Sequence, residues 1–174
     1  MMRVSSQAPQ SRASDPTGAC AYILHMTAFE ARRILVPTDF SPGCEAAVRV
    51  AGAMAERLGA KIDLLHVWSP LSMLAPDAAY IPSASDITAR TAELEKKLLD
   101  AAGTLGLPAD RIERNLVGGA AAWRAITEYA ESHGVDLIVM ATHGRKGLEH
   151  FLMGSVAERV VRTSRVPVLV VPPR

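Results

Sequence analysis

The residues best suited to bind a ligand lie in the segment ATHGRKGLEHFLMGS, at positions 141–155. It is a connection of about a dozen residues, and connections longer than the usual two to six residues tend to be functional. Gly144 and Gly147 permit backbone conformations that bring the chain close to a ligand. Gly154 and Ser155 stand where a helix is predicted to begin, and the unpaired N–H groups of a helix start bind anions. The pattern therefore predicts a phosphate-binding loop.

Several polar residues near this loop have both a chemical and a structural interpretation. Arg145 and Lys146 add charge to a phosphate site or remain solvated. Asp39 follows an apolar run, where it either binds a ligand or caps the next helix. His143 is interpreted as a loop histidine rather than a catalytic base. No catalytic residue is therefore assigned, although Asp39 and His143 are the polar groups a catalyst would use.

Other conspicuous residues are interpreted as structural. Cys44 lies on the first turn of a predicted helix, where a thiol pKa can fall, but an inert thiol is the preferred interpretation. His66 lies near the end of an apolar run and is expected to be a hydrogen-bonded structural histidine. Trp68, Trp123 and Met140 are expected to pack.

The elements that would position these residues alternate regularly along the chain. Apolar runs predict five strands and helical spacing predicts four helices between them. The strands are expected at 34–37, 62–68, 111–117, 137–141 and within 166–171, and the helices at 42–58, 87–105, 120–133 and 155–163. Such alternation predicts an α/β fold, a doubly wound, five-stranded parallel sheet with helices on both faces.

Helix boundaries follow from local residue chemistry. Ser41 is a good N-cap and Pro42 a good first helical residue, while Gly59 suits a helix end. The second helix is expected to end at Gly106. The third strand alternates apolar and charged residues and is therefore predicted to be a half-exposed edge strand.

Composition limits the function. The chain has 174 residues, is 49% hydrophobic, and carries a formal net charge of +1. This balance argues against a protein devoted to nucleic acid or to anionic membranes, and no apolar run reaches the length of a membrane span. The two cysteines, Cys20 and Cys44, form no CxxC pair, so a reducing cytoplasm is the expected location.

The N-terminal 29 residues differ from the rest. They are rich in Ser, Pro, Gln and Ala without apolar periodicity, which predicts a disordered extension preceding a domain at 30–174. Translation from Met26 is an alternative that would make the first 25 residues an assignment error.

Four segments together resemble the universal stress protein family. They are ILVPTDFS, LLHVW, DLIVMATHGRKG and GSVAERVVRTSRVPVLVV, in the family's order, over about residues 31–172. Nucleotide-binding members carry Gly-x2-Gly-x9-Gly-Ser/Thr. Here Gly144 and Gly154-Ser155 match, whereas Ala141 replaces the first glycine. The resemblance implies a Rossmann-like fold of the adenine nucleotide alpha hydrolase kind and a role in stress response.

The resemblance also implies a nucleotide site and a dimer. ATP, with Mg²⁺ as a possible companion, is the implied ligand. Its implied contacts are Pro37, Thr38, Asp39, Val67, Met140, Ala141, Gly144, Arg145, Gly154, Ser155 and Val156. No protein side chain alone is expected to hold the metal. The implied homodimer pairs the last strand through Val168, Leu169, Val170 and Val171.

The sequence is compatible with three functions. The first is an ATP-binding regulatory protein without enzymatic function, since the sequence has neither a Gly-x4-Gly-Lys-Ser/Thr loop nor a Gly-x-Gly-x-x-Gly motif. The second is a slow ATPase or an adenylating enzyme. Pro37-Thr38-Asp39 counts against the latter, because adenylating relatives usually carry a Ser-Gly-Gly-type loop there. The third is a nucleotide-free dimeric adaptor, which Ala141 favours.

Overall fold

Strands and helices alternate along the whole described part of the chain. The computed structural model describes residues 30–69, 82–142 and 153–172. The strands are β1 (Arg33–Pro37), β2 (Lys61–Trp68), β3 (Ile112–Gly118), β4 (Leu137–Ala141) and β5 (Val168–Val171). The helices are α1 (Pro42–Leu58), α2 (Ala84–Gly103), α3 (Ala122–Ser132) and α4 (Ser155–Thr163), with a short 3-10 turn at Ala109–Arg111. The predicted N-terminal extension, residues 1–29, lies outside the described residues.

The five strands form one parallel sheet in the order β3-β2-β1-β4-β5. The chain runs from the central strand to one edge, then returns to the other side of β1 to add β4 and β5. This confirms the predicted doubly wound sheet and the edge position of β3. The point where the order reverses lies between β1 and β4, where such sheets place their ligands.

Two hydrophobic layers cover the sheet. On one face, α1 and α2 pack over a cluster that includes Ile34, Val36 and Leu64. On the other, α3 and α4 cover Leu35 and Ile138. Because side chains alternate across a strand, apolar residues at successive positions fill both layers. The uniformly apolar sequences of β1 and β4 follow from this double burial.

The start and end of α1 are as predicted. Ser41 is the N-cap in an extended conformation, Pro42 opens the helix, and Gly59 ends it in the left-handed region with φ 68°. The Ser41 hydroxyl does not cap a helical amide within the described residues. It donates instead to the Cys44 sulfur, at 3.6 Å.

Several predicted helix boundaries differ from the structure: α2 begins at Ala84 rather than at 87, and α3 begins at Ala122 rather than at 120. The α2 helix ends at Gly103, not Gly106, and Leu105 lies beyond it although it is buried. Leu105 extended the apolar pattern because it packs under α1, not because it is helical. The last strand, Val168–Val171, lies within the predicted range 166–171. The Ser164 hydroxyl donates to the Val166 carbonyl and accepts from its amide, which holds a turn just before the strand.

None of the helices in the described ranges combines the length and the apolar character that a membrane span requires.

Candidate functional site

The site is built at the carboxyl ends of β1, β2 and β4. Pro37, the last residue of β1, pairs with Leu65, whereas β2 continues to Trp68. The central strand therefore ends before β2 does. The region beyond its end, beside the point where the strand order reverses, is here called the crevice. This is the position at which open α/β sheets bind ligands.

The turn after β1 is held by its own side chains. The Thr38 hydroxyl accepts from the Phe40 amide at 3.1 Å, and Asp39 Oδ1 accepts from the Ser41 amide at 3.0 Å. Phe40 has φ 62°, an uncommon conformation for a residue with a side chain. Such conformations persist where the surrounding structure determines them, and they concentrate at functional sites. The side chains of Thr38 and Asp39 are thus held by hydrogen bonds within the turn itself.

The buried side chain of His66 supports this turn. Its Nδ1 lies 2.7 Å from the Thr38 carbonyl, and its ring lies 4.4 Å, between centroids, from that of Phe40. A carbonyl can only accept, so Nδ1 carries the proton and donates. The expectation of a hydrogen-bonded structural histidine is confirmed.

The backbone of Val67 points into the crevice. In a parallel strand the N–H and C=O of one residue face the same side, and this side alternates along the strand. The Leu65 carbonyl accepts from the Thr38 amide at 2.8 Å, so Leu65 faces β1; the Trp68 carbonyl accepts from the Gly119 amide at 2.9 Å, on the β3 side. Val67 therefore faces the β1 side, beyond the end of that strand.

Met140 and Ala141 end β4 and are both buried. Met140 packs in the cluster under α3 and α4, as expected for a packing residue. Its side chain is thus committed to the core, and any contact with a ligand would be made by its backbone. The methyl group of Ala141 packs in the opposite cluster, under α1. That methyl is accommodated by core contacts and does not stand in an open crevice.

The start of α4 is tied to the end of β4. The Gly154 amide donates to the Thr142 carbonyl at 2.7 Å, and the first helical bond of α4 runs from Glu158 to Gly154. The Gly154 amide is therefore occupied, and the amides of the next three residues precede the first helical bond. Ser155 and Val156 are exposed, and no described side chain caps this end. The arrangement suits an anion.

The environment of Cys44 keeps its thiol protonated. Burial raises the pKa of Cys44, and the hydrogen bond and charge of Asp39 add to the effect. These effects outweigh the hydrogen bonds of the Asp39 amide and the Ser41 hydroxyl, which lower the pKa of Cys44. The raised pKa runs against the lowered value considered from its helix position and is consistent with the preferred interpretation as an inert thiol.

The structure therefore places most of the predicted ligand contacts at the carboxyl ends of the strands. Pro37, Thr38 and Asp39 lie at the end of β1, Val67 near the end of β2, Met140 and Ala141 at the end of β4, and Gly154, Ser155 and Val156 at the start of α4. His143, Gly144 and Arg145 lie outside the described residues. Within the described ranges, no three His, Cys, Asp or Glu side chains are grouped so as to hold a metal.

Comparison with known proteins assigns the chain to a family. The universal stress protein family model matches residues 30–172. The chain belongs to the universal stress protein family. Universal stress protein MJ0531 of Methanocaldococcus jannaschii is 34% identical over 142 residues, which is 80% of this chain and 81% of that protein. Universal stress protein MJ0577 of the same organism is 31% identical, over 80% of this chain and 94% of that protein. The resemblance seen in the sequence motifs is confirmed.

Solved structures agree on the fold. A universal stress protein in complex with cAMP is 26% identical, covers 82% of this chain and 98% of its own, and gives a TM-score of 0.62. The universal stress protein UspA from Lactobacillus plantarum, 23% identical over 82% of this chain and 98% of its own, superimposes with a TM-score of 0.61. The Rossmann-like α/β architecture of the family is therefore shared by this universal stress protein.

Sequence reasoning missed two residues that shape the site. The Thr142 carbonyl anchors α4 through Gly154, and the Cys44 thiol lies 3.1 Å from Asp39 Oδ1. No motif marks the first, because a backbone carbonyl carries no side-chain signal. The second had a usable signal, since a cysteine on the first turn of a helix faces the residues just before it.

Proposed function

We propose that this universal stress protein binds an adenine nucleotide, ATP, in the crevice beyond β1, as a regulatory ligand in stress response. The observation that carries the proposal is that β1 ends before β2 does, next to the switch point of the sheet. The cAMP complex of a related universal stress protein, 26% identical to this chain, supports the choice of an adenine nucleotide.

The adenine base fits the β2 side of the crevice. Val67 directs its backbone N–H and C=O toward the space beyond Pro37, as the bonds of Leu65 and Trp68 establish. A backbone donor and acceptor on one residue suit the alternating acceptor and donor edge of adenine. Recognition through main-chain atoms explains why a valine suffices at this position.

The ribose fits the turn after β1. The Asp39 carboxylate accepts hydrogen bonds, which makes it a partner for a ribose hydroxyl or for a metal-bound water. The half-buried position of Asp39, at the rim of the crevice, suits this role. Its orientation is set by the turn described above.

The phosphates fit the start of α4. The amides of Ser155 and Val156 precede the first helical bond, and the helix dipole favours negative charge there. Gly144 and Arg145 complete the proposed phosphate contacts. Mg²⁺ would be bound chiefly by phosphate oxygens, with water and few protein ligands.

Replacement of the motif's first glycine by Ala141 is compatible with this site. The methyl group of Ala141 is buried among core residues under α1. The methyl group therefore fills space in the core and not space proposed for the ligand. The argument for a nucleotide-free adaptor is weakened accordingly.

We further propose that ATP is a ligand and not a substrate, and that the protein acts in the cytoplasm. The polar groups available to a slow ATPase are Asp39 and His143. Asp39 Oδ1 already accepts hydrogen bonds from the Ser41 amide and the Cys44 thiol. These bonds give the oxygen a structural role, which differs from that of a general base ready to take a proton. Turnover that persists in both Asp39→Ala and His143→Ala would indicate a contaminating enzyme.

Calorimetric titration of ATP into protein freed of co-purified nucleotide tests the proposal. We expect the wild type to bind and Gly154→Val to lose at least about tenfold in affinity, because a branched side chain beside the α4 amides obstructs the phosphates. Gly103→Val is the matched control: a Cβ at Gly103, at the end of α2, meets nothing within 4 Å. We expect the control to bind ATP as the wild type does.

Each alternative result has a distinct meaning. A folded wild type that binds neither ATP nor AMP contradicts the proposal and favours the adaptor. Equal loss of affinity in Gly154→Val and Gly103→Val would mean that the first substitution acts through stability rather than through the phosphate site.

A further inference from the structure

We propose that Cys44 is a positioning residue of the nucleotide site, whose thiol orients the Asp39 carboxylate for the ligand. The inference rests on the proposed function. Asp39 Oδ1 accepts a hydrogen bond from the Ser41 amide at 3.0 Å and another from Cys44 Sγ at 3.1 Å. The first comes from the same turn, whereas the second comes from the body of α1.

The direction of the hydrogen bond follows from the chemistry of its two groups. An ionised carboxylate can only accept, so the thiol must supply the proton. Burial of Cys44 keeps that proton in place at neutral pH by raising the pKa of the thiol. The Ser41 hydroxyl donates to the same sulfur at 3.6 Å, which further fixes its position. Sγ is thus both an acceptor from Ser41 and a donor to Asp39.

Cys44 is a rigid support for a carboxylate at the rim of a site. It lies on the first turn of α1, is 7% exposed, and belongs to the core cluster with Ala47 and Val48. The turn that carries Asp39 contains Phe40 at φ 62°, a conformation of higher energy that needs support from its surroundings. A hydrogen bond from the core to Asp39 gives such support. Binding groups work best when neighbouring residues lock their geometry.

A double-mutant cycle between the two residues tests the inference. All variants carry Cys20→Ser, which leaves Cys44 as the single thiol. Cys44→Ala is expected to weaken ATP binding roughly three- to tenfold, the loss typical of one hydrogen bond. Cys44→Ser, which keeps a donor, is expected to restore most of the affinity. In an Asp39→Ala background, Cys44→Ala should have no further effect on affinity.

A control and a second measurement separate positioning from general stability. Val48→Ala removes core volume one turn along α1 and should lower the melting temperature without changing ATP affinity. The infrared S–H stretching band of Cys44 reports its hydrogen bond without any ligand. It should move to higher frequency in Asp39→Asn, because an amide oxygen accepts more weakly than a carboxylate.

The outcomes distinguish this inference from the proposed function. If the wild type does not bind ATP, the proposed function fails and the role given to Cys44 fails with it. If the wild type binds but Cys44→Ala weakens binding equally with and without the Asp39 carboxylate, only the present inference is overturned. An unmoved S–H band in Asp39→Asn overturns it as well.

Discussion

At the scale of single residues, a buried charge lies at the opposite end of the sheet from the crevice. Asp63, in β2, is fully buried, and its Oδ2 accepts from Arg33 Nε at 2.7 Å and from the Tyr129 hydroxyl at 3.1 Å. Arg33 also pairs with Glu113 at 2.7 Å. A buried carboxylate is tolerated only when paired and hydrogen-bonded. The network ties three adjacent strands to α3.

The Tyr129 hydroxyl makes the stability of the protein sensitive to alkaline pH. Burial, followed by the charge of Asp63, raises the pKa of Tyr129 from 10.0 to about 12. A raised pKa means that the folded state retains a proton that the unfolded state releases. The contribution to stability is therefore complete below about pH 10 and is lost as the pH rises from about 10 to about 12.

Tyr129→Phe removes this titration. We expect the variant to be less stable than the wild type at neutral pH, because it lacks the hydroxyl that Asp63 accepts from. The difference should shrink between about pH 10 and 12. Urea unfolding of both proteins at pH 8 and at several alkaline pH values measures it. A difference that stays constant over that range would mean that Tyr129 does not interact with Asp63 in solution.

At the scale of the elements, α1 approaches the segment after α2 at a glycine. A Cβ built at Gly52 would collide with the carbonyl oxygen of Leu105, which belongs to the backbone and cannot rotate away. In an exposed helix, Gly→Ala stabilises by up to about 1 kcal/mol. Here we expect Gly52→Ala to destabilise by about 1–3 kcal/mol, the usual effect of overpacking, measured by urea unfolding.

Gly103→Ala is the matched control for this prediction. Gly103 closes α2, and a Cβ there meets nothing within 4 Å. The same substitution should be neutral or stabilising at this position. If both variants gain stability, the close approach of α1 to Leu105 is absent in solution.

Most of the elements could be predicted from the sequence because local rules determine them. Fully apolar runs predicted β1 and β4, and the pair Ser41-Pro42 predicted the start of α1. Helix ends were predicted wrongly where a residue buried by tertiary packing continues the apolar spacing of a helix that has already ended. Leu105 continued the apolar face of α2 although the helix had ended, because its burial comes from contact with α1.

The site was predictable in its location but not in its internal contacts. Asp39 follows β1, and Gly154 stands at the start of the helix that follows β4. Because parallel strands end on the same side of the sheet, the sequence could place both at the carboxyl ends of the strands. Nothing in the sequence pairs Asp63 with Tyr129, 66 residues away, because that contact depends on how α3 packs on the sheet. The contact between Cys44 and Asp39 was easier to anticipate, because a cysteine on the first turn of a helix faces the residues just before it.

At the scale of the whole molecule, the two edges of the sheet differ in charge. The edge strand β3 carries exposed Glu113 and Arg114, and charged residues discourage edge-to-edge pairing. The other edge strand, β5, consists of Val168, Leu169, Val170 and Val171 and has no charge. We therefore propose that the protein forms a homodimer through β5, where an isologous contact would cover this apolar edge.

Proline substitution on each edge tests this assembly. The Ile138 and Thr142 amides donate to the Pro167 and Val171 carbonyls, so Val170 directs its own N–H away from β4 toward the open edge. Val170→Pro should therefore remove a donor of the proposed contact without breaking the ladder to β4, and sedimentation should find a monomer.

Arg114→Pro makes the equivalent change on β3. The Gly119 amide donates to the Trp68 carbonyl, so the backbone groups of odd-numbered β3 residues face β2 and those of even-numbered residues face outward. This control should remain a dimer, because only the β5 edge is proposed to pair. A folded Val170→Pro protein that sediments as a dimer would place the interface on another surface.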